Sequence, residues 1–311
     1  MAQGAATDRP VANAAAARRR GSFVERNRGP LLVTPALVTL FVMNIFPLMW
    51  SFGLSFYDYR LTRQDLPRFV GLDNYARMLA DPSIWESLQT TALIVAGSVG
   101  LQMILGFFMA MLFQPIFPGR RILLMLVLAP MMLSYVAVGV FFKLFYNPNF
   151  GLISKLIEVF QGTPPNILGD PVGAVLGIIF ADAWMWSPFV MLLVLAGLVS
   201  VPKYLYEASQ IDRATPWRRF WTITFPYVRS LLLLALLFRT IETFKLFDTV
   251  YIITEGGPGT ATKVIVQYLY RVSFQDFRTG ESSAIAYVIL FIVIVLTNLY
   301  LFMVKRREQE Q

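Results

Sequence analysis

Four charged residues recur at three-residue steps inside an otherwise apolar stretch of the chain: Arg239, Glu242, Lys245 and Asp248. Helical residues three apart share a face, so Arg239 can pair with Glu242 and Glu242 with Lys245. An ionisable group inside a membrane helix costs about 2.5–3.5 kcal/mol, so its presence calls for a partner or a function. Two interpretations remain open for these residues: structural pairs facing a bundle interior, or direct contacts to a polar substrate. Asp248 lies near the end of the stretch, where an interfacial position also explains it.

A second polar cluster falls in another apolar stretch, where Asp182 precedes Trp184, Trp186 and Ser187. Aromatic faces suit the C–H surfaces of sugars and planar polar groups suit sugar hydroxyls, so this cluster contains both parts of a saccharide site. Trp near a helix end is also typical of an interfacial aromatic belt, and that alternative stays open. Together with other polar positions, the candidates for substrate contact are Asn44, Tyr135, Asp182, Trp184, Trp186, Ser187, Arg239, Glu242 and Lys245.

Segment 201–226 concentrates charge between two apolar stretches and contains EASQIDRATPWRRFWTITFP at residues 207–226. The pair Thr215-Pro216 is typical of a helix N-cap followed by proline at the first helical position. Apolar periodicity on both sides predicts two short amphipathic helices joined by a tight turn near Arg213–Ala214. The pattern alone does not separate an interfacial helix from one that binds a partner.

The composition excludes several kinds of catalytic site. The chain has no Cys and no His, which removes disulfides, thiolate nucleophiles, His-based general bases and zinc sites built on either residue. Residues 256–259 read Gly-Gly-Pro-Gly but lack the spacing of a phosphate-binding loop, so they predict a turn. We therefore expect no catalytic, metal or nucleotide site on this chain.

The 311 residues are 56% hydrophobic and only 15% charged, with a mean hydropathy of +0.58. Soluble domains carry about 25% charged residues. A membrane helix needs about 20 apolar residues, and the candidate spans are 31–56, 88–114, 120–146, 173–200, 228–252 and 283–304. The predicted fold class is all-α, a polytopic membrane bundle with six transmembrane helices.

The basic, Ala-rich residues 1–30 predict a disordered tail, and the following apolar stretch is too long for a signal peptide, so a retained first span is expected. A cytoplasmic N-terminus assigns 16 Lys and Arg to the inside segments and 8 to the outside loops. This asymmetry satisfies the positive-inside rule and predicts that both termini are cytoplasmic. The predicted organisation is a tail at 1–30, a transmembrane domain over 31–304 that includes the cytoplasmic loop 201–226, and a tail at 305–311.

The same loop resembles the EAA loop of ABC importer permeases through Glu207-Ala208-Ser209, Asp212, Ala214, Ile223-Thr224 and Phe225-Pro226. The resemblance implies a coupling helix that docks into a groove of a cytoplasmic ATPase subunit, with Glu207 contacting a basic residue there. The implied coupling residues are Glu207, Ala208, Ser209, Asp212, Arg213 and Ala214. Arg213 stands where the family has Gly, and Phe225-Pro226 where it has Leu-Pro. Arg at a positive φ would be strained by about 1–2 kcal/mol, so either the bend uses ordinary dihedrals or a contact offsets the strain.

Further segments extend the resemblance over residues 31–304. FVGLDNYARML at 69–79, FDTVYIITEGGPGTATKVIVQYLYRVSF at 247–274 and the Trp-x-x-Ser/Thr-Pro-Phe pattern at 184–189 are similar to carbohydrate importer permeases. The second segment resembles the larger-permease type of the maltose transporters and their glycerol-phosphate and polyol relatives.

The resemblance implies a permease subunit of an ATP-driven importer of a sugar, oligosaccharide or polyol in the bacterial inner membrane. Implied partners are a second homologous permease, two ABC ATPase subunits, an extracytoplasmic substrate-binding protein and the lipid bilayer, with no nucleic acid. ATP and Mg would be bound by the ATPases and no cofactor by this chain. Closure of the ATPases would reorient the spans through residues 203–225.

Other functions remain in competition with this interpretation. A secondary transporter would use the charges of the fifth span for ion coupling, but six spans without an inverted repeat match those folds poorly. A membrane hydrolase would use Asp182 or Glu242, although no paired carboxylates stand in the outside loops. Among importers, a glycerol-phosphate-type substrate would require a cationic path through the membrane, and Arg239 is the one residue that supports this alternative.

Overall fold

The computed structural model describes residues 28–63 and 65–309, so most of the predicted tail at 1–30 lies outside the described residues. The chain divides into two units at Leu54. The first unit contains helix α1, which consists of Arg28–Leu40, a π-helical turn at Phe41–Ile45, and Phe46–Leu54. Nearly all its described side chains are exposed, as an apolar helix surrounded by lipid would be.

The second unit is helical apart from one short antiparallel hairpin, β1 (Tyr57–Asp58) with β2 (Arg68–Phe69). Its first helices are α2 (Asp73–Ala80), α3 (Pro82–Phe113), α4 (Arg120–Leu128, extended by a 3₁₀ turn at Ala129–Met132), α5 (Tyr135–Phe145) and α6 (Leu152–Gln161). They are followed by α7 (Pro171–Ser200), α8 (Lys203–Ile211), α9 (Pro216–Phe244, with a π-helical turn at Phe220–Thr224), α10 (Asp248–Thr254), α11 (Ile265–Tyr270, extended by a π-helical turn at Arg271–Gln275) and α12 (Thr279–Gln309).

Among the described residues, five helices are long and apolar enough to cross a membrane, and α4 with α5 makes a sixth span if this bent pair counts as one. They confirm the predicted all-α membrane bundle. The third predicted span, 120–146, is not one straight helix, because α4 and α5 meet at an angle of 98°. The break follows Pro130, which cannot donate a backbone hydrogen bond, and Leu133 takes an extended conformation. Ser134 then starts α5 by accepting a hydrogen bond from the amide of Ala137 at 3.2 Å.

The fifth predicted span, 228–252, is also wrong in its limits. Helix α9 begins at Pro216 and ends at Phe244, and the shorter α10 starts separately at Asp248. Pro226 does not open the helix, because the π-helical turn at 220–224 precedes it. Pro226 therefore lies inside α9, directly after the π-helical turn, where its missing N–H removes one hydrogen bond of the helix.

Helices α3, α7 and α9 pack against one another pairwise and form the centre of the second unit. An apolar cluster joins them, with Ala110, Val190 and Val228 fully buried. At Gly106 the backbones approach closely, because an added Cβ would lie 2.5 Å from the Val190 Cβ and 2.8 Å from the Ser187 carbonyl oxygen. Small residues permit such contact between membrane helices, which lack a hydrophobic driving force for association in lipid.

A buried ion pair crosses this centre. Arg239 of α9 lies 3.3 Å from the Asp182 carboxylate of α7, and the residues are 1% and 2% exposed. Gln102 of α3 donates to Asp182 Oδ2 at 2.7 Å and accepts from Arg239 Nε at 2.8 Å. The expected Arg239–Glu242 pair does not form, because Arg239 turns inward to Asp182. Glu242 instead pairs with Lys245 at 2.9 Å, with both side chains about half exposed.

Replacing Gly106 with Ala is expected to destabilise the chain by about 1–3 kcal/mol through overpacking against α7. Gly100 is the matched control on the same helix, since nothing lies within 4 Å of a Cβ added there. Gly100→Ala should be neutral or stabilising by up to about 1 kcal/mol. Thermal unfolding of the purified variants in detergent, followed by Trp fluorescence, measures both. Equal melting temperatures would contradict the close packing.

Arg239→Met is expected to cost about 3–5 kcal/mol, because it leaves the Asp182 carboxylate buried without its cation. The double variant Arg239→Met/Asp182→Leu removes both charges and should recover much of that loss. Lys245→Met, which breaks the exposed pair on the same helix, should change stability by no more than about 0.5 kcal/mol. The same unfolding measurement applies. A double variant less stable than either single one would argue against the buried pair.

Candidate functional site

The ion pair is the centre of a polar cluster that contains three of the sequence-predicted residues from the fourth and fifth spans, Asp182, Trp186 and Arg239. The guanidinium of Arg239 lies over the Trp186 ring at 4.5 Å and donates to Thr243 Oγ1 at 3.0 Å. The Trp186 ring lies 6.0 Å from that of Tyr135, at the first position of α5. Trp186 Nε1 is buried, with no hydrogen-bond partner among the described residues.

Two other predicted residues of the same stretch, Trp184 and Ser187, make other contacts. The Ser187 hydroxyl donates to the Ala183 carbonyl oxygen at 2.5 Å, which is a bond within α7. Trp184 points away from Asp182, is 40% exposed, and contacts Phe142 edge-on at 5.5 Å. Its position suits packing or a lipid contact more than an enclosed site.

A small cavity next to the cluster contains the remaining predicted charges. It has a volume of about 140 Å³ and is lined by Tyr135, Glu242, Lys245, Leu246, Phe247 and Asp248. Tyr135 therefore belongs both to this cavity and to the cluster around Arg239. Asn44 belongs to the first unit, where its side chain donates to the Leu40 carbonyl oxygen at 3.3 Å.

Two residues of the buried cluster were not predicted, because they are neither charged nor aromatic. Gln102 and Thr243 both bond directly to the ion pair. Gln102 could have been predicted because it lies in the middle of an apolar helix, where its amide must find hydrogen-bond partners within the protein. Thr243 lies one turn after Arg239, so helical spacing was its signal.

The second candidate site is helix α8 and the bend after it, which join the ends of α7 and α9. The predicted turn near Arg213–Ala214 is confirmed, and so is the N-cap, since Thr215 Oγ1 accepts from the Arg218 amide at 3.3 Å. The second helix is not a short separate one, because it continues as α9. The hydroxyls of Tyr206 and Thr224 lie 3.0 Å apart and connect α8 to the first turns of α9.

The bend at the end of α8 adopts the left-handed conformation that the family glycine would favour. Arg213 has a φ of +48°. Its amide donates to the Gln210 carbonyl at 3.0 Å, and the Ala214 amide donates to the Ser209 carbonyl at 2.9 Å. This pair of bonds is a Schellman motif, which satisfies the last carbonyls of a helix. The bend therefore keeps its geometry although Arg replaces Gly.

Helix α8 exposes charged and apolar side chains together. Glu207 is exposed, and so are Tyr204 at 65% and Ile211 at 83%. Trp217, at the start of α9, is 71% exposed. Ser209 is buried and donates to the Tyr206 carbonyl at 2.6 Å, which is a bond within α8. Large apolar side chains exposed beside the carboxylates of Glu207 and Asp212 are typical of a surface that binds a protein or a membrane.

Comparison with known proteins places this architecture in a family. The family model for the binding-protein-dependent transport system inner membrane component matches residues 102–309. The trehalose/maltose transport system permease protein MalF of Thermococcus litoralis is 35% identical over 282 residues, covering 90% of this chain and 94% of the relative. The sulfoquinovosyl glycerol transport system permease protein SmoG of Agrobacterium fabrum is 31% identical, covering 89% of this chain and 90% of the relative.

Among solved structures, a chain of the bacterial ABC transporter that imports the acidic polysaccharide alginate has the same fold. The TM-score is 0.78 at 19% sequence identity, over 91% of this chain and 97% of that one. The family match covers α7, α8 and α9, which carry both candidate sites. The chain therefore belongs to the family of binding-protein-dependent transport system inner membrane components, the permeases of ABC importers.

Proposed function

We propose that this chain is the permease subunit of an ABC importer that takes up a sugar, oligosaccharide or polyol through the bacterial inner membrane. The observation that carries the proposal is the exposed helix α8 on its Schellman bend, which joins the two helices that contain the buried ion pair. Relatives named for trehalose, maltose and lactose transport support a carbohydrate cargo. The transmembrane domain would span 31–304, with 201–226 and both tails in the cytoplasm.

In this proposal, the chain transports without catalysing a reaction, and its partners supply the energy and the cargo. Two ATPase subunits bind ATP and Mg, a second homologous permease completes the path, and an extracytoplasmic binding protein delivers the substrate. Glu207 is the contact to the ATPase, supported by its exposure beside Tyr204 and Ile211. A movement of α8 passes directly to α9 through the bend and through the Tyr206–Thr224 contact.

The substrate contacts in this proposal lie in the cavity that joins Tyr135 to Glu242 and Lys245, beside the Trp186 ring. A half-exposed carboxylate and ammonium, an indole N–H and two aromatic faces are groups that bind hydroxyl-rich molecules. Asp182 and Arg239 lie behind this surface and position Trp186 through the cation–π contact.

Glu207→Ala is expected to reduce co-purification of the ATPase by about tenfold or more, because a charge-assisted contact is lost. Its control is Glu86→Ala, an exposed glutamate on α3. The chain would be tagged, extracted from native membranes in mild detergent, and its partners quantified by mass spectrometry. A wild-type chain that brings no ATPase, even after crosslinking, would refute the importer assignment. Equal loss of the ATPase in the Glu207→Ala and Glu86→Ala variants would refute only the role of Glu207.

Substitutions at Arg213 test the bend. Arg213→Gly is expected to stabilise the chain by up to about 1 kcal/mol and to retain the ATPase, because glycine adopts positive φ without strain. Arg213→Val should destabilise it by about 1–2 kcal/mol, since a β-branched residue fits this region poorly. Thermal unfolding and ATPase co-purification of the two variants give the comparison. Equal behaviour of Gly and Val would mean that the bend is not left-handed in the membrane.

A further inference from the structure

A larger cavity lies at the opposite end of the bundle from α8. It has a volume of about 410 Å³, within the range of about 300–1,000 Å³ that is typical of small-molecule sites. Its walls come from the loop after α10 and from α11 with its π-helical turn. Because α8 joins the end of α7 to the start of α9, this cavity, which follows the end of α9, faces the other side of the membrane. In the proposed orientation that side is extracytoplasmic.

Two polar atoms in this wall are buried without a hydrogen-bond partner among the described residues. They are the side-chain oxygen Oε1 of Gln267, a residue only 8% exposed, and Nε of Arg271. The first can only accept a hydrogen bond and the second can only donate one. A hydroxyl group donates and accepts, so a hydroxyl-rich ligand satisfies both atoms. A phosphate or carboxylate group would meet the cations of Lys263 and Arg271 on this wall but would leave Gln267 Oε1 without a donor.

Aromatic rings connect this cavity with the one that contains Glu242 and Lys245. Phe247 lines the smaller cavity, while Tyr251 and Tyr270 line the larger one. The Phe247 ring lies 5.2 Å from that of Tyr251 and 5.0 Å from that of Tyr270, and the two tyrosine rings are 5.9 Å apart. The three rings form a continuous aromatic surface between the two polar cavities.

The loop that closes the larger cavity is held rigidly. Thr262 is fully buried, its hydroxyl lies 2.7 Å from that of Thr254, and it donates to the Gly257 carbonyl at 2.8 Å. Gly256 has a φ of +92°, and an added Cβ would lie 2.9 Å from Gln267 Oε1. Glycine therefore lets the loop backbone approach the glutamine that carries the free acceptor. A rigid wall reduces the entropy lost on binding.

We infer that this cavity is a second saccharide-binding site, at the extracytoplasmic entrance, and that the three aromatic rings guide the sugar toward the Tyr135 cavity. The inference rests on the proposed function, since it assigns the entry point of the same cargo. The ligand is a neutral, hydroxyl-rich molecule whose C–H face stacks on Tyr251 and Tyr270. Its hydroxyls bond to Gln267 and Arg271.

The chain contains no Cys, so single cysteines can report on this site. Thr260→Cys places a thiol at the exposed lip of the cavity, and Thr163→Cys places a control thiol on an exposed loop outside it. The purified full chain is labelled with a maleimide across the soluble range of maltose, in a detergent without a sugar headgroup. Maltose should slow labelling at Thr260→Cys several-fold and leave Thr163→Cys unchanged.

Two further substitutions in the Thr260→Cys background test the ligand contacts. Tyr251→Ala should raise the half-protecting maltose concentration by about two- to tenfold. The control is Tyr227→Ala, at a tyrosine that is 41% exposed on α9, compared with 38% for Tyr251. Gln267→Met keeps the side-chain volume but removes the acceptor, and it should also weaken protection.

Several results would overturn this inference. The first two are that maltose does not slow labelling of Thr260→Cys, or that it slows labelling of the control thiol equally. The others are that glucose 6-phosphate protects Thr260→Cys more strongly than maltose does, or that Tyr251→Ala and Tyr227→Ala have equal effects. The assay needs neither the ATPase nor a binding protein. A chain that co-purifies with an ATPase but gives no protection therefore refutes the second site alone, whereas absence of the ATPase refutes the proposed function.

Discussion

The buried pair of Asp182 and Arg239 constrains the rest of the structure. Moving two charges out of water is costly, and their attraction repays that cost only when their remaining hydrogen-bonding groups find partners. Gln102 and Thr243 supply those partners, so α3, α7 and α9 must meet at this one point. Close contact at Gly106 brings α3 and α7 near enough for the glutamine to reach. The apolar packing and the polar centre therefore require the same helix arrangement.

The sequence was sufficient for the features that depend on local interactions. Five of the six predicted apolar spans, the N-cap at Thr215 and the bend near Arg213 follow from composition, proline placement and helical spacing, and the described residues contain them. The left-handed φ of Arg213 could not be chosen from the sequence, because ordinary dihedrals with a different bend were equally compatible. The resemblance to a glycine-containing loop left both geometries open, and the Schellman bonds of Arg213 and Ala214 are what the structure adds.

Features that depend on contacts between distant segments were not predictable in the same way. Arg239 had an acceptable partner three residues away in Glu242, and only the packing of α7 against α9 presents Asp182 instead. The 98° break after Pro130 and the end of α9 at Phe244 interrupt apolar stretches whose composition is uniform. Nothing in the sequence distinguishes Gln267, because its unpaired oxygen depends on how the loop around Gly256 packs against α11.

Helix α9 connects the two candidate sites, and its irregularities lie at its two ends. Near its start, the π-helical turn at 220–224 separates the bend from the regular segment that carries Arg239. At its other end, the backbone leaves the helix at Lys245 and re-enters one at Asp248, beside the Tyr135 cavity. A regular helix transmits displacement along its axis, whereas π-helical turns and helix breaks absorb changes in φ and ψ. A pull on α8 that enters α9 through the Tyr206–Thr224 contact would bypass most of the π-helical turn and reach Arg239 along the regular segment Phe225–Phe244. The resulting rotation would be absorbed at the helix break beside the Tyr135 cavity.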